Sequence, residues 1–379
     1  MHLLKIAIVT NNYKPYSGGV VSSIESFANT LKQFGHIPYI ITLDFDGNYR
    51  EEENVFRISC PIKFTYKNNP MGIPWRADNA IYNLIKDLSP HIIHSQHPFL
   101  LGVSALKSCR KLSIPIVFTY HTRYEEYLHY IPLPEILTAP IVKSLAISYC
   151  NKTNGIIAPS NSMHQFLKES NLNNKELKVI SSGILPVFNL EKFNNKKINN
   201  PFKLLTVSRF VKEKNIPFLL NVFKKLNSEN FVFDLIGYGS ELQFLSNYAY
   251  QKLGLSKEQV KFIEKPEKEI IAQYYKSSDL FIFSSVSETQ GLVLAEAMAG
   301  GTPVIALNSP ATHDIIQDEK NGFLVNSIDQ MVEKIKLIYN NSELHKKMQQ
   351  EAWLTAQNYN SINTTKSLID FYNDVIRNY

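Results

Sequence analysis

Residues 281–307 read FIFSSVSETQGLVLAEAMAGGTPVIAL. The spacing of Leu292, Ala295 and Ala299 predicts a short helix, with Glu288 just before it and Glu296 inside it. FIF and VIAL on either side read as buried strands. Gly300-Gly301 stops the helix, and Pro303 prevents its continuation. The preceding loop is polar, so the helix start offers unpaired backbone N–H groups and a positive dipole end, which suits a phosphate. The two carboxylates lie eight residues apart, on the order of 12 Å in a continuous helix. A diphosphate at that N-terminus would have one carboxylate within reach of hydroxyls on each side. A nucleotide-sugar has that shape: ribose, diphosphate, hexose. The same residues also fit a buried helix with one solvated glutamate and one that caps a neighbour, and spacing alone leaves both open.

The elements around this stretch alternate strand and helix. KIAIVTN (5–11) reads as a strand, YKPYSGGV (13–20) as a loop, 21–35 as an amphipathic helix and 36–43 as a strand. This is a Rossmann-like opening, but the glycines are Gly18-Gly19 and the G-x-G-x-x-G dinucleotide fingerprint is absent. That argues against a dinucleotide-dependent oxidoreductase. Asp44 and Asp46 form a D-x-D in a charged run that reads as surface loop. Helices are expected over 77–89 and 100–113, and strands over 91–96 and 115–121. His121 thus ends a strand, where open α/β sheets place ligand contacts. A run dense in tyrosine and charge (122–134) follows, then an apolar helix (134–151) and strands at 155–160 and 177–184.

Residues 186–201 are rich in asparagine and lysine with a proline at each end, and read as a linker. The pattern then restarts. Strand 202–210 delivers Arg209, with Lys214 shortly after it, and strand 231–241 carries Gly237 and Gly239. Helices are expected over 216–226, 267–278 and 328–340, with another reaching Gly254 and more over 342–379. The expected class is α/β, two Rossmann-like domains in tandem facing each other across a cleft that the strand C-termini line. Arg209 and Lys214 at a sheet mouth can clamp a diphosphate.

Composition agrees with a two-domain globular chain: 379 residues, 44% hydrophobic. Three scattered cysteines (Cys60, Cys109, Cys150) form neither a disulfide framework nor a zinc knuckle and fit a reducing compartment. The first residues read as a strand rather than a signal peptide, and no apolar run is long enough to span a membrane. A cytoplasmic chain is expected. Net charge is +6, of which residues 1–190 carry +5. Nine basic residues (Arg57, Lys63, Lys67, Arg76, Lys86, Lys107, Arg110, Lys111, Arg123) stand against Asp78 and Asp87 within 57–123. With no nucleic-acid motif present, such an excess points either to an anionic membrane surface or to an ordinary solvated face.

Taken together, these segments resemble the retaining glycosyltransferases of family 4, which have the GT-B fold. SVSETQGLVLAEAMAGGTPVIA is similar to the family's paired-glutamate signature, with Glu288 and Glu296 in the paired positions. TVSRFVKEKN resembles its arginine and lysine segment, NYKPYSGGV its glycine loop and YHT its histidine strand end. HTRYEEYLHYIP (121–132), VISSGI (179–184) and ETQG (288–291) are similar to the corresponding segments of the bacterial 1,2-diacylglycerol 3-alpha-glucosyltransferases. The glycine loop departs, reading SGGV where the lipid enzymes more often carry N-G-V.

The resemblance implies an acceptor domain over 1–185, the linker 186–201, a nucleotide-sugar domain over 202–360, and a C-terminal helix (361–379) packing back on the first. It implies transfer of a hexose, glucose first among the candidates, from a UDP-sugar with retention and without a metal or other cofactor. Arg209, Lys214 and the amides near Gln290, Gly291 and Leu292 would stabilise the leaving diphosphate, with Gly237 beside them. Glu288 would hold sugar hydroxyls, Glu296 the ribose, and His121 the sugar near its reacting face. Gly18 and Gly19 would admit backbone close to the phosphate or acceptor. Tyr124 and Glu125 are the acceptor candidates. The implied acceptor is a lipid such as diacylglycerol, met at the cytoplasmic face of an anionic membrane. The alternative is a soluble or polysaccharide acceptor. Either the leaving phosphate takes the acceptor's proton, or Glu288 acts as nucleophile in a double displacement.

Overall fold

The computed structural model describes residues 3–16, 18–44, 51–66, 69–126, 135–173, 176–190, 192–226, 229–264 and 266–379. Asp46, Lys67 and residues 127–134 of the tyrosine-rich run fall outside them. The chain forms two compact units. One comprises 1–183 with 361–379, the other 184–360, so the asparagine-rich stretch 186–201 belongs to the second.

The first unit is built on a seven-stranded sheet. Its strands are β1 (Lys5–Val9), β2 (Ile37–Asp44), β3 (Val55–Ser59), β6 (Ile92–Ser95), β7 (Ile116–Thr119), β8 (Gly155–Ala158) and β9 (Glu176–Val179), in the order β3-β2-β1-β6-β7-β8-β9. Every pairing in it is parallel. A separate antiparallel hairpin pairs β4 (Ile62–Tyr66) with β5 (Asn69–Ile73). Helices cover both sheet faces, which is why the central strands read as unbroken apolar runs. Along β1 the faces still alternate. Ala7 and Val9 pack with the helices Ala77–Leu88 and Leu101–Leu112. Ile6 and Ile8 pack with the helices Gly19–Gln33 and Ser361–Arg377.

The C-terminal helix thus completes the first unit although its sequence follows the second. Leu368, Phe371 and Tyr372 on it are fully buried, each contributing about 1.5–3 kcal/mol of burial. Gly155 makes room for it: a Cβ there would lie 2.7 Å from the Phe371 ring. The Tyr372 hydroxyl meets Nδ1 of His94 at 2.6 Å, and Nε2 of His94 meets Thr119 Oγ1 at 2.7 Å. Burial holds the His94 imidazole down at about 3, so it is neutral.

The second unit holds a six-stranded sheet. Its strands are β10 (Phe202–Arg209), β11 (Phe231–Tyr238), β12 (Val260–Glu264), β13 (Leu280–Phe283), β14 (Val304–Leu307) and β15 (Gly322–Val325), in the order β12-β11-β10-β13-β14-β15. All its pairings are parallel. Along β13, Leu280 and Ile282 join one apolar cluster and Phe281 and Phe283 the other. The helix expected to run to Gly254 is instead Leu242–Asn247 followed by a wider-wound turn, Tyr248–Lys252. β3 and the β4–β5 hairpin carry no clear sequence signal.

Each sheet has one point where the strand order reverses, and ligands of open α/β sheets collect outside the strand C-termini there. In the first unit it lies between β1 and β6, in the second between β10 and β13. The loops after those four strands carry Gly18-Gly19, Gln96-His97, Arg209 to Lys214 and Ser284 to Gly291.

Candidate active site

In the second unit the two switch-point loops are stapled together. Ser284 Oγ donates to the carbonyls of Lys214 (2.8 Å) and Asn215 (2.9 Å), and Ser285 Oγ to that of Glu213 (3.3 Å). Between β10 and the helix Ile216–Leu226 the chain makes a tight turn, Lys212–Lys214, closed by Asn215 at φ 51°. Asn tolerates that left-handed backbone better than most side chains. The turn aims Lys214 inward, 9% exposed, and its Nζ donates to Glu288 in the other loop. Burial pushes the Glu288 carboxyl up, but Lys214, Ser285 and Arg209 outweigh it and hold it below the usual carboxylate range. Arg209, at the end of β10, reaches Glu213 at 3.4 Å.

Gly291 starts the helix Leu292–Ala299 at φ 70°, a conformation that favours glycine. Gln290 beside it is buried. The helix bounds match the expected ones. Glu296 faces Tyr275 of the helix Lys268–Ser277, whose hydroxyl donates to its Oε2 at 3.1 Å. Burial raises the Glu296 carboxyl to about 7, with Tyr275 and Lys268 opposing the rise. The second unit therefore brings Arg209, Lys214, Glu288, Gln290, Gly291, Leu292 and Glu296 onto two stapled loops and one helix. Gly237 sits beside the Arg209 strand end, on the neighbouring strand. In β11 it pairs with Ser208 of β10, and a Cβ would lie 1.8 Å from the Ser208 carbonyl oxygen, so strand packing by itself already requires a glycine there.

In the first unit, Gly18 and Gly19 open the helix Gly19–Gln33, and a Cβ on Gly19 would meet nothing within 4 Å. Protein packing does not demand that glycine. His121 follows β7, and its Nε2 meets Gln96 Oε1 at 2.6 Å. Burial lowers its imidazole to about 3, with His97 and His94 adding to the shift. His97 accepts at Nδ1 from the backbone N–H of Asn11, 3.2 Å. Tyr124 and Glu125 lie in the turn Tyr124–Glu126. The Tyr124 ring packs edge-on against Phe99 (5.3 Å) and Tyr120 (5.5 Å). The Tyr120 and Tyr124 hydroxyls and Glu125 Oε2 are buried without a hydrogen-bond partner among the described residues. Buried polar groups in that condition are rare and call for a reason, a bound water or a functional role among them.

Sequence reasoning missed Gln96, Glu213, Ser284, Ser285 and Tyr275. Glu213 had a local signal, lying four residues from Arg209; the others become visible only through tertiary contacts. Among the described residues no group of His, Cys, Asp and Glu is placed to hold a metal ion, and no helix is long and apolar enough to cross a membrane.

The chain matches two family models end to end: Glycosyltransferase Family 4 over residues 17–186 and Glycosyl transferases group 1 over 187–354. It is 32% identical to an alpha-monoglucosyldiacylglycerol synthase of Streptococcus pneumoniae, covering 85% of this chain and 75% of that one. It is 26% identical to an alpha-monoglucosyldiacylglycerol synthase of Acholeplasma laidlawii, covering 98% of both. Among solved structures, HepE of Anabaena in complex with UDP-glucose superposes with a TM-score of 0.76 at 15% identity, covering 98% of this chain and 100% of that one, which shows a shared fold.

Proposed function

The chain belongs to glycosyltransferase family 4, with the GT-B fold, and we propose that it is a retaining enzyme that moves glucose from UDP-glucose to 1,2-diacylglycerol. The observation that carries the donor half is the stapled pair of loops, which sets Arg209, Lys214 and Glu288 just ahead of the helix that carries Glu296. The acceptor half rests on the two relatives named for alpha-monoglucosyldiacylglycerol. Their product is an alpha-glucoside and UDP-glucose is an alpha-donor, which supports retention.

The roles follow from charge. As the glycosidic bond breaks, the leaving diphosphate gains charge, and Arg209, Lys214 and the amides from Gln290 to Leu292 are preorganised to receive it. With those groups in place the transfer needs no metal. Glu288 holds sugar hydroxyls and Glu296 the ribose. His121, kept neutral by burial, orients the sugar. The Tyr120 and Tyr124 hydroxyls offer two donors and Glu125 one acceptor. Diacylglycerol presents the complement, two ester carbonyls and one hydroxyl.

Lipid access involves the exposed Trp75, Leu100 and Val103 with Arg76, Lys86, Lys107, Arg110 and Lys111, and the exposed Ile141 and Leu145 on the helix Glu135–Cys150. Basic residues among them meet anionic headgroups. Arg57 does not take part, being buried beside Glu52 at 3.8 Å.

The test is a donor screen. Nucleotide release is followed from UDP-glucose, UDP-galactose, UDP-N-acetylglucosamine and GDP-mannose, with and without diacylglycerol vesicles and with and without EDTA. Expected are release from UDP-glucose that depends on the vesicles, an alpha-glucolipid product, and indifference to EDTA. Strong transfer to a free sugar with none to diacylglycerol would overturn the lipid reading. Equal sedimentation with neutral and anionic vesicles would remove the electrostatic part.

A further inference from the structure

Tyr275 is among the largest fully buried side chains of the protein. Its ring stands edge-on to Phe188 at 5.7 Å and tilted against Phe281 at 5.8 Å. A phenylalanine would satisfy those contacts. The hydroxyl needs another reason, and among the described residues its hydrogen bond goes to Glu296 Oε2.

The backbone of Tyr275 is held as firmly as its ring. Its carbonyl accepts from Thr302 Oγ1 and, at 3.1 Å, from Lys196 Nζ. Lys196 Nζ also meets Thr302 Oγ1 at 2.8 Å. Gly300 closes from the same side: a Cβ there would lie 3.0 Å from the Tyr275 carbonyl carbon and Cβ. The G-G-T run that ends the site helix therefore closes around Tyr275, with Lys196 brought in from the asparagine-rich stretch. A side chain fixed at backbone, ring and hydroxyl can define the position of what it touches.

We propose that Tyr275 is a positioning residue for nucleotide recognition: by occupying Oε2 of Glu296 it fixes the carboxylate so that the other oxygen receives the ribose 2′- and 3′-hydroxyls. Oε1 of Glu296 has no hydrogen-bond partner among the described residues. A carboxylate oxygen carries two lone pairs, enough for both hydroxyls of a vicinal diol. Without the phenol the carboxylate can rotate, and each ribose contact must first order it. The inference rests on the reading of Glu296 as the ribose-holding group.

The experiment is calorimetric binding of UDP and 2′,3′-dideoxy-UDP to the full chain and to Tyr275→Phe, with donor KM and kcat measured alongside. The wild type should bind UDP about 10- to 100-fold more tightly than the dideoxy ligand. Tyr275→Phe should weaken UDP about 5- to 20-fold and the dideoxy ligand less than about twofold, raising donor KM and leaving kcat near wild type. Thr302→Val loosens the carbonyl clamp from the other side and should repeat the pattern more weakly. Equal weakening of both ligands by Tyr275→Phe, or of neither, overturns the positioning role. A wild type that binds both ligands equally overturns the ribose role of Glu296, and the proposal with it. A discriminating wild type with an indifferent Tyr275→Phe overturns the proposal alone.

Discussion

Lys214 Nζ donates to a carboxylate oxygen of Glu288, and that bond joins the two loops that meet at the second sheet's switch point. Arg209 is likewise met by Glu213 at 3.4 Å. Each cation of the proposed diphosphate site therefore already faces a carboxylate. Under the proposed roles a diphosphate would compete with Glu288 for Lys214, and the carboxylate displaced would be the one assigned to the sugar. Donor binding and delivery of Glu288 would then be one exchange.

The pair also makes stability depend on pH. The Glu288 carboxyl is held below its ordinary range when folded. Such a group stabilises the fold above the ordinary carboxylate pKa of about 4.3, and that contribution is lost as pH falls through the lowered folded value. Lys214→Met leaves a partly buried carboxylate without its cation and should cost about 1–3 kcal/mol at pH 7. The deficit should shrink below about pH 4, where Glu288 is protonated in the variant. Urea unfolding of both proteins at pH 7 and 3.5 measures it; a deficit constant with pH would contradict the pairing.

The C-terminal helix gives a second prediction, in the first unit. Tyr372→Phe leaves Nδ1 of His94 without its hydroxyl partner inside an apolar core. The cost should be about 1–3 kcal/mol. UDP affinity should not change, because the bond lies in the other unit from Arg209, Lys214 and Glu296, the groups proposed to hold UDP. Chemical denaturation followed by UDP calorimetry separates the two effects.

What the sequence disclosed follows from how local each feature is. The helix Leu292–Ala299 was legible to the residue, since its glycines, proline and apolar spacing are all contiguous. Strand ends were legible because buried parallel strands are unbroken apolar runs, and they placed His121, Arg209 and Lys214. β3 was not legible: Val55, Phe56 and Arg57 are each partly exposed and lack a buried strand's pattern. The hydroxyl of Tyr275 gave no signal, because its partner is 21 residues away on another helix. Gly237 is ambiguous in the sequence for a physical reason. A glycine required by strand packing and one required by a ligand look alike in sequence, and the 1.8 Å approach to Ser208 shows that packing is one reason for this one.

The acceptor assignment predicts a split between substrates. Tyr124→Phe removes one of the buried hydroxyls that lack partners among the described residues. Acceptor KM should rise about tenfold, the value of one hydrogen bond in a dry site, with donor KM unchanged. Because an unsatisfied buried hydroxyl costs stability, the same variant should be no less stable than wild type in the absence of acceptor. Steady-state kinetics on mixed vesicles, with thermal unfolding alongside, tests both statements, and a drop in stability with unchanged acceptor KM would remove Tyr124 from the site.

Glu296 carries the opposite pH signature from Glu288. Burial raises its carboxyl to about 7, and the groups facing it, Tyr275 and Lys268 on the neighbouring helix, only partly oppose the rise. A carboxyl raised on folding adds stability that is full below its unfolded pKa and is lost as pH climbs through the folded value. Glu296→Gln cannot titrate, so it should match wild type near pH 4.5 and exceed it by up to about 3 kcal/mol at pH 8. Ribose hydroxyls donate best to the ionised form, so UDP should bind more tightly as pH rises to about 7 and level off above it. Below that point binding should release a proton, read by calorimetry in two buffers of different ionisation enthalpy. Glu296→Gln should show weak UDP binding at every pH and no proton release. A wild type whose UDP affinity is flat from pH 5.5 to 8 would mean that the carboxylate facing Tyr275 does not meet the nucleotide.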